Sequence, residues 1–213
     1  MRSALDIYLE EHGSINNDAL AWVERQTNIR TKYPRMLSGR VQGEFLYMIV
    51  RMLRPRKILE IGTFTGYSAI CMALALEEGG HIDTIEKNDE LEDLILEGFN
   101  RAGTEDRTSL HIGDAIDFIR ERKREGGLYD LVFIDADKRE YPEYFNTVID
   151  ITRHGGFILA DDVLWDGKVY SDNIPSDRQT AGIVAFNEMV TADVRVESMI
   201  LPLRHGLSII RKK

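Results

Sequence analysis

The sequence has a single cysteine, Cys71, so no disulfide can form within the chain, which suits a reducing cytoplasm. No apolar run approaches the roughly 20 residues that cross a bilayer. The opening residues carry Asp6, Glu10 and Glu11 where a secretory signal would be apolar. The expectation is a cytoplasmic protein without a membrane partner. Excess positive charge is also missing. With 27 basic against 36 acidic side chains the net charge is −9, so no global field draws in nucleic acid or an anionic surface. The five histidines, at 12, 81, 111, 154 and 205, are scattered, which argues against a zinc site built from them. There is no internal repeat, low-complexity tract or linker. The 213 residues, 43% hydrophobic and 30% charged, suit one globular domain with a good core.

The chain is organised around Lys57 to Ile70. Ile58, Leu59 and Ile61 form an apolar run too short for a helix and followed by glycine, the pattern of a buried parallel strand at its end. Gly62 and Gly66 allow a tight turn in which backbone can lie against a ligand. From Gly66 the pattern becomes helical, with Ala69, Ile70, Ala73, Leu74 and Leu76 on an apolar face. Strand, glycine loop and helix form a nucleotide-binding entry. The spacing is G-x-x-x-G, without the third glycine of the dinucleotide fingerprint, and Glu60 sets a carboxylate where a pyrophosphate would be repelled. Residues 82–86 read as the next strand, ending in Glu86, which is placed to accept hydrogen bonds from both hydroxyls of a ribose. An adenosyl ligand without phosphates matches both features, and S-adenosylmethionine is the common one. In the alternative the glycines only turn the chain and Glu86 is a solvated strand end.

Residues 1–55 read as a helical cap ahead of a Rossmann-like core spanning 56–213. The cap's stripes are Leu5, Tyr8 and Leu9, then Ala19, Leu20, Trp22 and Val23, then Phe45, Leu46, Ile49, Val50 and Leu53. Met36 to Gly39 reads as a loop and Pro55 as a stop. Such extra helices can cover a ligand, make a dimer contact or pad the sheet, and the expectation is a homodimer. Beyond Glu86, Asn88 and Asp114 are candidate helix caps. Residues 108–112, 131–134 and 156–160 are candidate strands, and residues 120–125 a solvated basic helix end. Two alternating segments, 194–201 and 207–210, read as a closing hairpin. The fold class is an open, mainly parallel α/β sheet with an antiparallel end.

Glu60, Asp135, Asp161 and Asp162 then fall at the ends of three strands sharing one rim. Asp135, Asp161 and Asp162 make an all-oxygen, negative site of the kind that takes Mg²⁺, Ca²⁺ or Mn²⁺. Singly, each aspartate could instead cap a helix or turn. Lys138 lies three residues past Asp135. A lysine beside a divalent cation is pushed toward its neutral form and can act as a base; otherwise it pairs at the surface with Asp137 or Glu140.

Three ordered motifs, residues 59–68, 133–138 and 160–165, resemble the cation-dependent O-methyltransferases of the catechol and caffeoyl-CoA type. The similarity runs from about residue 36 to the C-terminus. It implies a seven-stranded methyltransferase fold, Asp135, Asp161 and Asp162 as metal ligands, and Lys138 as the base. It further implies Glu60, Gly62, Phe64, Ser68, Glu86, Ala115 and Asp135 around S-adenosylmethionine. Asp114 would lie near the adenine, and Met36 to Gly39, with Ser38, by the methionine end. Asp162 departs from the pattern, since that position is commonly Asn. The loop 165–178 has only Lys168 and Arg178 as basic residues, which does not clearly provide for a CoA thioester. The expected acceptor is a small hydroxylated aromatic. A tRNA hydroxyuridine is the alternative within the class, and the −9 charge argues against it. An NAD-dependent oxidoreductase would share the strand-loop-helix and Glu86, but this chain lacks the third glycine and has an acidic rim, and Lys138 with three aspartates argues against a non-catalytic binding module.

Overall fold

In the computed structural model, which describes residues 4–15 and 17–213, the chain divides into two compact units. The first comprises Met1–Arg56 and Thr63–Ile112, the second Lys57–Gly62 and Gly113–Lys213. Residues 1–3 and the side chains of Asp6 and Glu10, on which the reading of the N-terminus rests, lie outside the described residues. The helices are α1 (Ala4–Glu11), α2 (Asp18–Arg30), α3 (Gly39–Leu53), α4 (Tyr67–Ala75), α5 (Glu92–Ala102), α6 (Ala115–Arg124), α7 (Tyr141–Ile151) and α8 (Arg178–Ala192). The strands are β1 (Lys57–Ile61), β2 (His81–Glu86), β3 (Thr108–Ile112), β4 (Tyr129–Ile134), β5 (Thr152–Asp161), β6 (Val196–Leu201) and β7 (Leu207–Lys212). They form a seven-stranded mixed sheet in the order β3-β2-β1-β4-β5-β7-β6.

In the first unit β2 and β3 pair in parallel, Glu86 opposite Ile112. Helix α4 packs against α2, α3 and α5. That enclosure explains why α4 is buried on nearly all sides instead of showing the single apolar face its periodicity predicts. The expected loop at 36–39 is also modified. Pro34–Met36 forms a short 3-10 turn, and Gly39 already opens α3, which ends at Arg54 in a left-handed cap before Pro55. Asn17 caps α2, and Asn88 caps the 3-10 turn that leads into α5. The stripe Leu5, Tyr8 and Leu9 on α1 is exposed.

In the second unit β1, β4 and β5 run parallel, while β7 pairs antiparallel with both β5 and β6. Leu131, Val132, Phe133, Ile134, Ile158, Leu159 and Ala160 are fully buried, as their unbroken apolar runs require. β5 begins four residues before the expected 156, because Thr152 already pairs with Tyr129 before a register shift. The parallel run brings the carboxyl ends of β4 and β5 side by side, and Asp135 and Asp161 stand there. Helices α6, α7 and α8 pack in sequence. The basic end of α6 is ion-paired, with Arg120 to Glu143, Arg122 to Glu125 and Lys123 to Asp150, which fits a solvated helix end.

Candidate active site

In the first unit the glycine loop and the end of β2 are tied together by hydrogen bonds. Glu86 Oε2 accepts the N–H of Phe64 at 2.7 Å, and Oε1 accepts the N–H of Asn88 at 2.8 Å. Phe64 adopts a left-handed conformation, φ 50°, to turn its amide to that carboxylate. The N–H of Thr63 donates to Ile85 O at 3.1 Å, and the Thr63 and Thr84 hydroxyls are hydrogen-bonded to each other. Thr65 is held from the helical cap. Its hydroxyl lies 2.8 Å from that of Thr27, whose own proton goes to Val23 O, so Thr65 is the donor. Burial raises the pKa of Glu86 above the usual carboxylate value, partly offset by the N–H groups of Asn88, Phe64 and Lys87. Bonds to backbone amides still leave this carboxylate, with about four lone-pair sites, room for a further donor. Ser38 is buried immediately before α3, and Ser68 is buried within the first turn of α4.

In the second unit the acids converge. Asp135, Asp161 and Asp162 each offer a carboxylate oxygen, and these atoms lie within 4.8 Å of one another. Asp135 follows β4, held where its N–H donates to Ile61 O at 2.9 Å. Gly62, φ 96°, lies so close that a Cβ there would come within 2.0 Å of Asp135 O. Asp161 ends β5, and Asp162 turns away from it in a left-handed conformation, φ 59°. Glu60 behaves differently from the expected rim acid. It lies inside β1, opposite Phe133, at 0% exposure, and the three-carboxylate cluster does not include it. Asp114 caps α6 by accepting from the N–H groups of Ile116 and Asp117, and Ala115 opens that helix.

Lys138 completes the cluster. It is 6% exposed, and its Nζ lies 2.9 Å from Asp135 Oδ1 and 3.1 Å from Asp162 Oδ2. The alternative of a surface ion pair does not describe it, since Asp137 engages Arg139 and Glu140 accepts the hydroxyl of Tyr144. Burial pulls its pKa down, but Asp135, Tyr141 and Asp162 together outweigh burial and hold it well above the ordinary lysine value. The carboxylates thus favour the ammonium, opposite in sign to the effect expected of a neighbouring divalent cation. Gly182 of α8 makes room for the lysine's backbone, for a Cβ there would meet Lys138 O at 2.3 Å.

Sequence reasoning passed over Tyr141. Its hydroxyl lies 2.7 Å from Lys138 Nζ and donates to Asp161 O at 2.9 Å. The available signal was its position, three residues beyond Lys138 and so one helical turn away.

Among the described residues no helix is long and apolar enough to cross a membrane. A family model described as O-methyltransferase matches residues 10–213. A catechol O-methyltransferase of Niastella koreensis is 37% identical over 163 residues, which are 76% of this chain and 73% of that protein. Caffeoyl-CoA O-methyltransferase 2 of Populus trichocarpa is 31% identical over 199 residues, 88% of this chain and 79% of that one. The solved structure of an O-methyltransferase from Bacillus cereus in complex with SAH superposes with a TM-score of 0.92 at 31% identity, covering 99% of this chain and 98% of that one.

Proposed function

The chain belongs to the O-methyltransferase family, and from that premise we propose that it moves the methyl group of S-adenosylmethionine to a hydroxyl of a small catechol-like or phenolic substrate, with a divalent cation held by Asp135, Asp161 and Asp162. The observation that carries this reading is the set of three carboxylate oxygens within 4.8 Å of one another, beside a buried lysine. An all-oxygen, negative donor set fits a hard cation such as Mg²⁺, Mn²⁺ or Ca²⁺. Such an ion, when bound, supplies Lewis-acid charge that lowers the pKa of a substrate hydroxyl and orients it.

The chain's own groups supply the remaining steps. Lys138, its Nζ 2.9 Å from Asp135 Oδ1 and 3.1 Å from Asp162 Oδ2, would take the proton of the reacting hydroxyl in its neutral form, which a divalent cation held by those carboxylates would favour. Glu86 holds the ribose of the donor with the lone pairs its backbone N–H partners leave. The relatives named for catechol and caffeoyl-CoA support a phenolic acceptor. The scarcity of basic residues in the loop 165–178 favours the smaller of the two, because a CoA thioester brings several phosphates. The chain has one cysteine, Cys71, which is buried, and so no disulfide within the chain, which supports a cytoplasmic setting.

Incubation of the protein and Mg²⁺ with methyl-labelled S-adenosylmethionine tests the proposal against catechol, a caffeoyl thioester and undermodified tRNA. Label is expected on catechol. Label on tRNA alone would transfer the assignment to RNA modification, and label on no acceptor would overturn the reading.

A further inference from the structure

Lys138 has a long, rotamer-rich stem, yet each of its three N–H donors has an acceptor. Asp135 and Asp162 take two, and the third is directed at Tyr141 Oη, 2.7 Å away. Tyr141 is fully buried at the start of α7, and its ring is set edge-on to Phe186 with centroids 5.4 Å apart and an interplanar angle of 78°. Its hydroxyl has one proton, and its other neighbours, Asp161 O at 2.9 Å and Ile134 O at 3.3 Å, are carbonyls that can only accept. The polarity is therefore fixed. The phenol gives its proton to main chain at the ends of β4 and β5 and presents a lone pair to Lys138. It anchors the lysine to the two strand ends that carry Asp135 and Asp161, and it meets Nζ only as an acceptor.

We propose that Tyr141 is a positioning residue for Lys138, its phenol oxygen fixing Nζ relative to the carboxylate cluster so that the lysine meets the reacting hydroxyl at a set place. The proposal rests on the reading of Lys138 as the base. Misplacement of a reacting group by about 1 Å can cost on the order of 100-fold in rate.

Tyr141→Phe keeps the ring and removes the oxygen. Its kcat is expected to fall about 10- to 100-fold, while the KM for donor and acceptor and the cation dissociation constant stay within about twofold. The decisive arm is a double-mutant comparison, because a group acting only through Lys138 has nothing to act on once the lysine is gone. Tyr141→Phe in a Lys138→Met background should therefore cost no further rate, as read with labelled donor. An equal loss in both backgrounds, or a wild-type kcat in Tyr141→Phe, would overturn the proposal. Should Tyr141→Phe fail to accumulate as folded protein, 3-fluorotyrosine at position 141 replaces it, keeping the ring and hydroxyl but weakening the oxygen as an acceptor. A readout without turnover separates this inference from the proposed function. In protein labelled with ¹³C-lysine, the Lys138 Cε resonance should stand apart from those of exposed lysines and move toward them in Tyr141→Phe. That shift with no methyl transfer in the wild type would sink the proposed function and leave the positioning intact. No shift would sink the positioning.

Discussion

Replacing Gly62 with alanine should cost both stability and cation affinity, although glycine offers the site no side chain. The residue has φ 96°, and an added Cβ would stand 2.0 Å from Asp135 O, 2.7 Å from Asp135 C and 3.2 Å from Ala136 Cα. All three atoms are backbone, so no rotamer change relieves the overlap. A left-handed backbone costs an L-residue about 1–2 kcal/mol, and forcing packed structure to shift costs about 1–3 kcal/mol more. The sum, about 2–5 kcal/mol, is a large part of the roughly 5–15 kcal/mol that holds a domain folded. The shift falls on Asp135, whose N–H is bonded to Ile61 O at 2.9 Å and whose carboxylate belongs to the cluster. Urea unfolding would read the stability, and terbium luminescence the cation affinity. Gly103→Ala is the control, since Gly103 has φ 63° and nothing within 4 Å of its Cβ position, leaving only the conformational cost. If Gly62→Ala is no less stable than Gly103→Ala and binds terbium as the wild type does, the contact with Asp135 has no such role.

Lys138→Ala should lose about 10²- to 10⁴-fold in rate, with partial recovery at high pH, while its cation affinity is kept or tightened, because an ammonium no longer shares Asp135 and Asp162. Asp135→Ala should lose the cation in calorimetry, since its carboxylate is one of the three in the cluster. Glu86→Ala should weaken donor binding by about 1.5–3 kcal/mol, the worth of hydrogen bonds to a charged acceptor. Because burial raises the pKa of Glu86 in the folded chain, its ionisation destabilises the fold. That cost is absent below the ordinary carboxylate value and complete above the raised one. The stability of the wild type relative to Glu86→Ala should therefore decline as pH rises through that window and level off above it; a difference that does not vary with pH would contradict the burial. Light scattering should give twice the 24.4 kDa of one chain, since α1 leaves Leu5, Ile7, Tyr8 and Leu9 exposed; a monomer at micromolar concentration would count against the dimer.

The strands were legible because each buried run is short, apolar and closed by glycine or acid. Ile58, Leu59 and Ile61 needed only that pattern, and so did Leu131 to Ile134. The convergence of Asp135, Asp161 and Asp162 was legible as well, because adjacent parallel strands must end on one rim. Burial around a residue was harder to foresee. The apolar residues of α4 gave one face by periodicity, but neighbouring helices cover the others. Glu60 could be located in the chain but not seen to lie inside its strand. Tyr141 was read as nothing in particular, since its part depends on contacts with Lys138 and a carbonyl twenty residues away. The charge of Lys138 is likewise a property of its partners, and sequence spacing did not disclose that two carboxylates and a phenol surround one nitrogen.

Methyl transfer at the carboxylate cluster and Lys138 should depend on a bound cation. The most direct test is the rate of label transfer from S-adenosylmethionine to catechol after treatment with EDTA, and again after Mg²⁺ is restored in excess. The account predicts that transfer stops in EDTA and returns with the ion in the wild type, but does not return in Asp135→Ala. Full activity in EDTA, or recovery in Asp135→Ala equal to the wild type, would contradict it.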